Sequence, residues 1–260
     1  MENLKINLLN INIDNLTSLD IQNKVEDLIS QKKPIHIVGV NIDQVLKVKE
    51  NKYSQKIFDD AALIFTDGKP ILWMSKILGK PLIERITGPD LMLKLCELAS
   101  VKKYRLFLLG SAPGVADRAA INLKKMFNKI EVIGTYSPPF GFENDKLEMK
   151  KINDMLLNSK ADMLFVGMGS PKQDIFIYEN KDIYKIPVSF SIGAALDFIG
   201  DKTKRAPRWM INVGLEWFYR ILKDPKRLFK RYFHDIMKII PFFLHEFKQV
   251  KLLKQEKLFK

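Results

Sequence analysis

Six short apolar segments alternate with helical patterns along this chain, and this alternation constrains the fold more than any other feature of the sequence. The segments cover residues 35–40, 62–66, 104–109, 130–134, 161–167 and 187–192. Their length and apolar character are typical of buried strands. Strands separated by helices pair side by side, because each helix returns the chain to the same end of the sheet. The sequence therefore predicts an α/β fold in which helices flank a mostly parallel sheet.

Polar side chains follow three of these strands. The clearest case is ADMLFVGMGSPKQD (residues 161–174), in which an apolar strand enters a turn of small residues. LIFTDGKP (residues 63–70) and IHIVGVN (residues 35–41) have the same form. The polar residues that follow the strands are Asn41, Asp67, Lys172, Gln173 and Asp174. Open parallel sheets bind ligands at the carboxyl ends of their strands, so we expect these side chains to converge on one crevice.

The composition indicates a globular protein. With 260 residues, 47% of them hydrophobic and 28% charged, the chain can bury a sizeable core as one α/β domain or as a domain with an appendage. The single cysteine, Cys96, lies in the apolar helical pattern LMLKLCELA, so we interpret it as a core residue and expect a reducing compartment. The N-terminal MENLKINLLN lacks the apolar region of a signal peptide. No apolar run approaches the roughly 20 residues of a spanning helix, so we expect a cytoplasmic protein that does not cross a bilayer.

The C-terminal segment is strongly basic. Residues 220–260 hold 12 Lys or Arg against 4 Asp or Glu, which accounts for most of the net charge of +13. Apolar residues recur between these charges at roughly helical spacing, a pattern typical of a basic amphipathic helix. Such a helix suits an anionic membrane surface. Binding to nucleic acid is the weaker interpretation, and we expect no nucleic-acid partner, because no nucleic-acid-binding motif accompanies the charge.

A third interpretation of this segment is a helix that packs on its own domain. It accounts well for residues 219–233, whereas the more basic residues 248–260 favour contact with a surface. The sheet pattern ends and the helical pattern begins near residues 200–207. We therefore predict a core domain at residues 1–200 and a basic amphipathic, membrane-associating helical appendage at residues 201–260.

The sequence LFLLGSAPG (residues 106–114) combines a strand, a glycine turn and a helix start. Backbone N–H groups near Gly110 and Gly114 could bind a phosphate, although glycines that serve only a tight turn fit equally well. The turn lacks the full G-x-G-x-x-G spacing, which disfavours an oxidoreductase or a methyltransferase of related fold. The three histidines are scattered and no D-x-D pair is present, so the sequence requires no catalytic metal and predicts no cofactor.

Asp67 is the leading candidate for a catalytic carboxylate. It follows an apolar strand and precedes Gly68, so its side chain should emerge at the carboxyl end of a strand beside flexible backbone. A general base at that place can reach a substrate hydroxyl. Spacing alone supports equally an Asp that caps the helix starting at Pro70.

Four other polar residues each have two interpretations. Arg85 and Asp90, in ERITGPD, could bind an anionic ligand or pair with each other on the surface. Gln173 could donate hydrogen bonds to a sugar or a nucleotide, or it could face water on the first turn of a helix. Asp197, in GAALDFIGD, could bind a ribose hydroxyl, and a helix cap or a salt bridge within the loop is equally natural.

Six motifs occur together and in order along the chain. They are TDGKP (66–70), ERITGPDLM (84–92), FLLGSAPGVA (107–116), FVGMGSPKQD (165–174), GAALDFIGDKTKRAP (193–207) and GLEWFYRILKDPKRLFKR (214–231). With this set the chain resembles the WecG/TagA/CpsF family of bacterial glycosyltransferases over roughly residues 5–235. Each motif alone is short, and the resemblance depends on the ordered combination.

The resemblance implies a Rossmann-like core and a C-terminal appendage that helps close the active site at the membrane. It implies transfer of an N-acetylhexosamine, typically N-acetylmannosamine or its uronic acid, from a UDP-sugar donor to a sugar on undecaprenyl diphosphate. Such products serve wall teichoic acid, common antigen or capsule synthesis. The implied reaction is metal-independent, inverts the anomeric centre and takes place at the inner face of the plasma membrane. The resemblance is compatible with a homo-oligomer and does not require one. A non-catalytic, membrane-associated sensor or adaptor that binds UDP-sugar is the alternative.

The resemblance also implies roles for individual residues. Asp67 matches the catalytic base, Arg85 an active-site arginine, and Gln173 the glutamine near the sugar nucleotide. Asp197 matches an acid that contacts the nucleotide. Basic residues that bind diphosphate are matched by Arg220, Arg227 and Arg231. The chain departs from the family pattern at Gly39, where threonine is common, and so lacks any hydroxyl contact from that position.

Overall fold

A six-stranded parallel sheet forms the centre of the protein. The computed structural model describes residues 5–258, except for the side chains of Asn212, Arg227 and residues 253–258. The strands in this range are β1 (Lys5–Leu8), β2 (Ile11–Asp14), β3 (Ile35–Val40), β4 (Leu63–Thr66), β5 (Arg105–Gly110), β6 (Glu131–Tyr136), β7 (Met163–Gly167) and β8 (Val188–Ser191). The central sheet has the order β4-β3-β8-β7-β5-β6, and every adjacent pair is parallel. The predicted α/β fold is confirmed, and the strand bounds agree with the prediction to within two residues.

Helices cover both faces of this sheet. They are α1 (Ser18–Gln31), α2 (Ile42–Glu50), α3 (Lys52–Asp59), α4 (Lys69–Ile77), α5 (Gly88–Lys102), α6 (Val115–Met126), α7 (Lys146–Ser159), α8 (Lys172–Tyr184), α9 (Ala195–Ile199), α10 (Arg208–Val213), α11 (Glu216–Lys223) and α12 (Pro225–Leu258). Strands β3, β4, β7 and β8 are buried along their whole length, and burial on both faces explains the mostly apolar sequences of β3, β4 and β7. Cys96, on the buried face of α5, lies in the core with none of its surface exposed, as expected.

Strands β1 and β2 form an antiparallel hairpin that the sequence did not predict. Leu9 and Asn10 both adopt positive φ in its turn. The hairpin packs beside β4, where Asp14 Oδ2 accepts a hydrogen bond of 2.9 Å from the backbone N–H of Ile64. Its strands have only four residues each, at the lower end of the length over which alternation indicates a strand.

The part of α12 from Ile239 onward packs on the core. Ile239 is 5% exposed and joins the apolar cluster between the hairpin, α2 and α4, and Phe243 and Phe247 pack against the same cluster. Glu246 accepts hydrogen bonds from the backbone N–H of Leu9 at 2.7 Å and from Lys80 Nζ at 2.8 Å. Packing of the C-terminal segment on the core domain therefore extends beyond residues 219–233, the range for which the sequence favoured such packing. The division of the chain at residue 200 stays a prediction.

The first half of α12 carries an apolar stripe that does not enter the core. Phe229, Phe233 and Met237 are more than half exposed, and the rings of the two phenylalanines stack with centroids 6.3 Å apart.

Among residues 5–258 no helix combines the length and the hydropathy that a membrane span requires.

Candidate active site

A large pocket lies at the carboxyl ends of the parallel strands. Its volume is about 1080 Å³, and loops after β3, β4, β5, β7 and β8 form its floor. Helices α11 and α12 form one wall. The predicted site residues that line it are Asn41, Asp67, Arg85, Gly110, Lys172, Gln173, Asp197, Arg220 and Arg231. The polar ends of several strands therefore converge on one crevice, as an open parallel sheet requires.

Asp67 projects into the pocket from the end of β4. Its backbone N–H donates a 2.8 Å hydrogen bond to Val40 O, which ties the turn to the neighbouring strand β3. Helix α4 has Gly68 as its N-cap and no side-chain cap, so the interpretation of Asp67 as a helix cap is wrong. The Asp67 side chain is instead available to a ligand in the pocket.

The surroundings of Asp67 raise its pKa to about 6. Burial is the largest cause, and the negative charge of Glu216 adds to it, whereas Arg220 and Arg85 oppose the shift. A carboxyl group with this pKa is largely ionised at neutral pH and is still basic enough to accept a proton. The environment therefore suits a general base.

Three predicted arginines line the pocket that contains Asp67, and the charges of two of them, Arg85 and Arg220, act on its carboxylate. Arg85 Nη1 lies 4.0 Å from a carboxylate oxygen of Glu216 on α11. Arg220 lies over the ring of Phe198, with its guanidinium carbon 5.4 Å from the ring centroid. Arg231 lies 4.0 Å from Asp235 and lines the same pocket. The side chain of Arg227 is outside the described part of the structure, so its predicted role stays a prediction.

Asp90 does not form a surface ion pair with Arg85, which was one of the two interpretations of these residues. It instead receives two hydrogen bonds from Arg205, at 2.5 Å to Oδ1 and 2.8 Å to Oδ2. Arg205 Nε also lies 3.4 Å from Glu216. Arg205 belongs to the sequence DKTKRAP, and its pairing was not foreseen because 115 residues separate it from Asp90.

Gln173 is a buried link between two loops of the pocket floor. It is only 3% exposed, so the interpretation that it faces water is wrong. Its Oε1 accepts hydrogen bonds from the backbone N–H groups of Gly169, at 3.2 Å, and Gly193, at 3.1 Å. These contacts hold the loops after β7 and β8 together and orient the amide group in the pocket. The neighbouring Asp174 is also buried but does not line the pocket.

The glycine turn after β5 is required by close packing. Gly110 has a φ of +114°, and a Cβ atom there would lie 2.6 Å from Gly167 O. Gly114 is the N-cap of α6 and is not among the lining residues, so its phosphate contact stays a prediction.

Asp197 accepts a short hydrogen bond from the hydroxyl of Ser111 and lies 3.2 Å from Lys202 Nζ. Asp197 therefore forms the salt bridge that the sequence suggested and also lines the pocket.

The other two predicted residues that line the pocket, Asn41 and Lys172, both contact other parts of the protein. Asn41 Oδ1 accepts hydrogen bonds from two backbone N–H groups of α2, which makes Asn41 the cap of that helix. Lys172 Nζ lies 2.6 Å from Glu143 and 5.3 Å from the ring centre of Phe140. Aromatic residues of the C-terminal helices that were not predicted also line the pocket, namely Trp217, Tyr219 and Tyr232. Trp217 and Tyr219 belong to the motif GLEWFYRILKDPKRLFKR, and Tyr232 directly follows it.

Gly39 faces Phe65 across strands β3 and β4. A Cβ atom at Gly39 would lie 2.8 Å from two ring atoms of Phe65 and 3.3 Å from Asp67 Cβ. Phe65 is 2% exposed, so its ring has little room to move. The Phe65 ring therefore occupies the space that a larger side chain at position 39 would need.

We expect Gly39→Thr to destabilise the protein by about 1–3 kcal/mol, the usual cost of overpacking. The measurement is urea-induced unfolding. Adding Phe65→Leu should restore space, so the double variant should lose less than the sum of the single losses. A Gly39→Thr protein as stable as the original would show that Phe65 does not constrain this position.

Known proteins resemble this chain along most of its length. The family model described as Glycosyl transferase WecG/TagA/CpsF family matches residues 6–254. A Bacillus spizizenii protein named N-acetylglucosaminyldiphosphoundecaprenol N-acetyl-beta-D-mannosaminyltransferase is 33% identical, over 87% of this chain and 86% of the relative. A Bacillus subtilis protein of the same name is 30% identical, over 82% of this chain and 80% of the relative. A Staphylococcus aureus protein of that name is 27% identical, over 95% of this chain and 93% of the relative. The match to the family spans nearly the whole chain, and this protein therefore belongs to the WecG/TagA/CpsF family of glycosyltransferases.

Proposed function

We propose that this glycosyltransferase moves N-acetylmannosamine, or its uronic acid, from a UDP-sugar to a sugar linked to undecaprenyl diphosphate, with inversion at the anomeric carbon. The relatives' name describes transfer of an N-acetyl-beta-D-mannosaminyl group to N-acetylglucosaminyldiphosphoundecaprenol. The structural observation that carries the proposal is Asp67, a carboxylate with a pKa raised to about 6, in a strand-end pocket that arginines also line.

The reaction needs a base for the acceptor. In this proposal Asp67 takes the proton of the acceptor hydroxyl while the hydroxyl oxygen attacks the anomeric carbon of the donor. The bond between that carbon and the UDP oxygen breaks on the opposite face, and its electron pair leaves with UDP. A positioned base contributes typically about 10² to 10⁴ in rate.

The reaction also needs cations for the leaving group. UDP gains negative charge as the bond breaks, and preorganised donors that meet this charge stabilise the transition state. Arg85, Arg220 and Arg231 line the pocket that contains Asp67. Guanidinium groups bind diphosphate oxygens through paired hydrogen bonds, so these side chains can stabilise the departing UDP without a metal ion.

The size of the pocket fits two substrates. A volume of about 1080 Å³ lies just above the roughly 300–1000 Å³ typical of a site for one small ligand. Simultaneous binding of donor and acceptor is what a direct displacement requires, because the hydroxyl must reach the anomeric carbon before UDP leaves.

The test is an incubation of the full chain with a panel of UDP-sugars and a short-chain lipid diphosphate acceptor carrying N-acetylglucosamine, with mass detection of the product. We expect release of UDP and a product heavier by one N-acetylmannosamine or uronic acid residue, with the β anomer shown by NMR. Excess EDTA should leave the rate unchanged. Release of no UDP from any donor would favour the non-catalytic sensor, and activity lost to EDTA and restored by magnesium would contradict metal independence.

We further propose that the apolar stripe of α12 contacts an anionic membrane. Phe229 and Phe233 are about 60% exposed, and Lys226 and Lys230 are exposed on the same turns. Ile236, which precedes Met237 of the stripe, is 44% exposed and lines the pocket, so the stripe leads to the pocket. An acceptor with a lipid tail would reach the site from that side.

Replacing Phe229 and Phe233 together with serine should weaken binding to vesicles of phosphatidylglycerol and phosphatidylethanolamine at least about tenfold, because each ring removes apolar area from water on insertion. The measurement is vesicle cosedimentation. The matched control is the pair Leu147→Ser and Ile183→Ser, exposed apolar residues of α7 and α8. Equal vesicle binding by the two double variants would contradict this placement of the membrane surface.

A further inference from the structure

Four charged side chains form a chain of contacts beside the pocket, and the reaction described above uses only one of them. Asp90 binds the guanidinium of Arg205 at 2.5 and 2.8 Å. Arg205 Nε lies 3.4 Å from Glu216 Oε1, and Glu216 Oε2 lies 4.0 Å from Arg85 Nη1. Glu216 is therefore the point at which the two arginines meet.

This network joins three parts of the protein. Asp90 is in the first turn of α5, where Thr87 Oγ1 also accepts a hydrogen bond of 3.1 Å from Arg205 Nη2. Arg205 belongs to the segment between α9 and α10, and Glu216 is the first residue of α11. The same helix carries Arg220, which lines the pocket. Contacts at Glu216 thus determine how the start of α11 sits against the core.

Three of the four side chains are largely shielded from water, whereas that of Asp90 is 42% exposed. The side chains of Arg85 and Glu216 are 15% and 16% exposed, and that of Arg205 is 22% exposed. Charges in such partly buried positions interact more strongly than charges on the surface, because water screens them less. Glu216 lines the same pocket as Asp67, and its charge acts on the Asp67 carboxylate.

We propose that Glu216 is a positioning residue for the transfer reaction, which holds Arg85 and Arg205 and thereby fixes a negative charge from α11 beside Asp67. The inference rests on the proposed function, since it assigns Asp67 the role of base. Glu216 touches neither the proton nor the sugar in this scheme. It acts through the arginines that it orients and through the charge that it places near the base.

The consequence is a dependence of the base on the C-terminal helices. The charged groups that act on Asp67 are Glu216 and Arg220 from α11, and Arg85 and Asp90 from the segment at the start of α5. The carboxylates among them raise the pKa of Asp67 and the arginines lower it, although burial is the largest influence. Loss of the Glu216 charge should therefore shift protonation of Asp67 to lower pH.

The experiment compares Glu216→Gln with two other variants. Glu216→Asp keeps the charge. Glu246→Gln is the matched control, because Glu246 also joins the C-terminal segment to the core through an ion pair, with Lys80, and does not line the pocket. Each protein is examined by the pH dependence of kcat/KM. A second readout follows the carbon-13 signal of the Asp67 carboxyl group, assigned by its loss in Asp67→Asn.

For the original protein we expect activity to fall below a midpoint near pH 6, where Asp67 becomes protonated. Glu216→Gln should move this midpoint, and that of the carboxyl signal, down by roughly half to one pH unit, the size expected of a nearby charge in a partly buried site. Glu216→Asp and Glu246→Gln should keep the original midpoint.

Two results would overturn the inference. One is an unchanged Asp67 titration in Glu216→Gln, even if turnover falls, because a merely structural role lowers activity without moving the midpoint. The other is an equal shift in Glu246→Gln, which would indicate a general charge effect. If Glu216→Gln melts early, Glu216→Ala provides a second variant for the same titration. If the original protein transfers no sugar, the proposed function fails, whereas the carboxyl signal still decides whether Glu216 acts on Asp67.

Discussion

Asp67→Asn should reduce sugar transfer by at least about a hundredfold, because an amide of the same size cannot accept the proton of the acceptor hydroxyl. The affinity for UDP should change little, since the proposed contacts to the diphosphate come from arginines. Turnover is measured with the donor and acceptor that serve the original protein, and UDP affinity by calorimetry. A large fall in kcat with nearly constant affinity is the signature of a group that acts in the transition state.

The pH profile adds a second criterion for Asp67. Activity that requires the ionised carboxylate rises with pH through the pKa of about 6 and then levels off. The residual activity of Asp67→Asn should lack this rise. Asp182→Asn is the control, because the Asp182 side chain is 72% exposed and does not line the pocket. Turnover by Asp67→Asn close to that of the control would exclude the role of base.

Arg220→Ala should lower kcat by roughly 10² to 10³, the range seen when one preorganised donor to developing charge is removed. Two effects combine in this variant. The leaving diphosphate loses a cation, and the pKa of Asp67 rises further, because the Arg220 charge opposes the upward shift. The acid limb of the pH profile should therefore move to higher pH, in the direction opposite to that expected for Glu216→Gln.

Arg208→Ala is the matched control for Arg220→Ala. Arg208 lies in the first turn of α10, is exposed and does not line the pocket. Arg220→Lys should recover part of the activity, since lysine keeps the charge but loses the planar group that lies over Phe198. Equal activity of the two alanine variants would show that Arg220 does not stabilise the negative charge on the departing UDP.

Local sequence patterns predicted much of the fold and the location of the candidate site. Strands β3 and β7 were recognisable because a strand buried on both faces is apolar at nearly every position, whatever its neighbours are. Asp67, Lys172 and Gln173 could be placed at strand ends for the same reason, since only the adjacent residues define where a strand stops. The hairpin of β1 and β2 escaped prediction because its short strands become recognisable only through their packing beside β4.

The sequence by itself therefore determined the α/β class, the parallel strands and the edge of the sheet at which polar residues gather. Only the tertiary structure decided how those residues are used. It turned Gln173 inward between two loops, paired Asp90 with Arg205, and set the pKa of Asp67 through burial and through charges on α11. The physical reason is that periodicity acts over a few neighbouring residues, whereas burial and Coulomb interactions depend on distances in space between segments far apart in the chain.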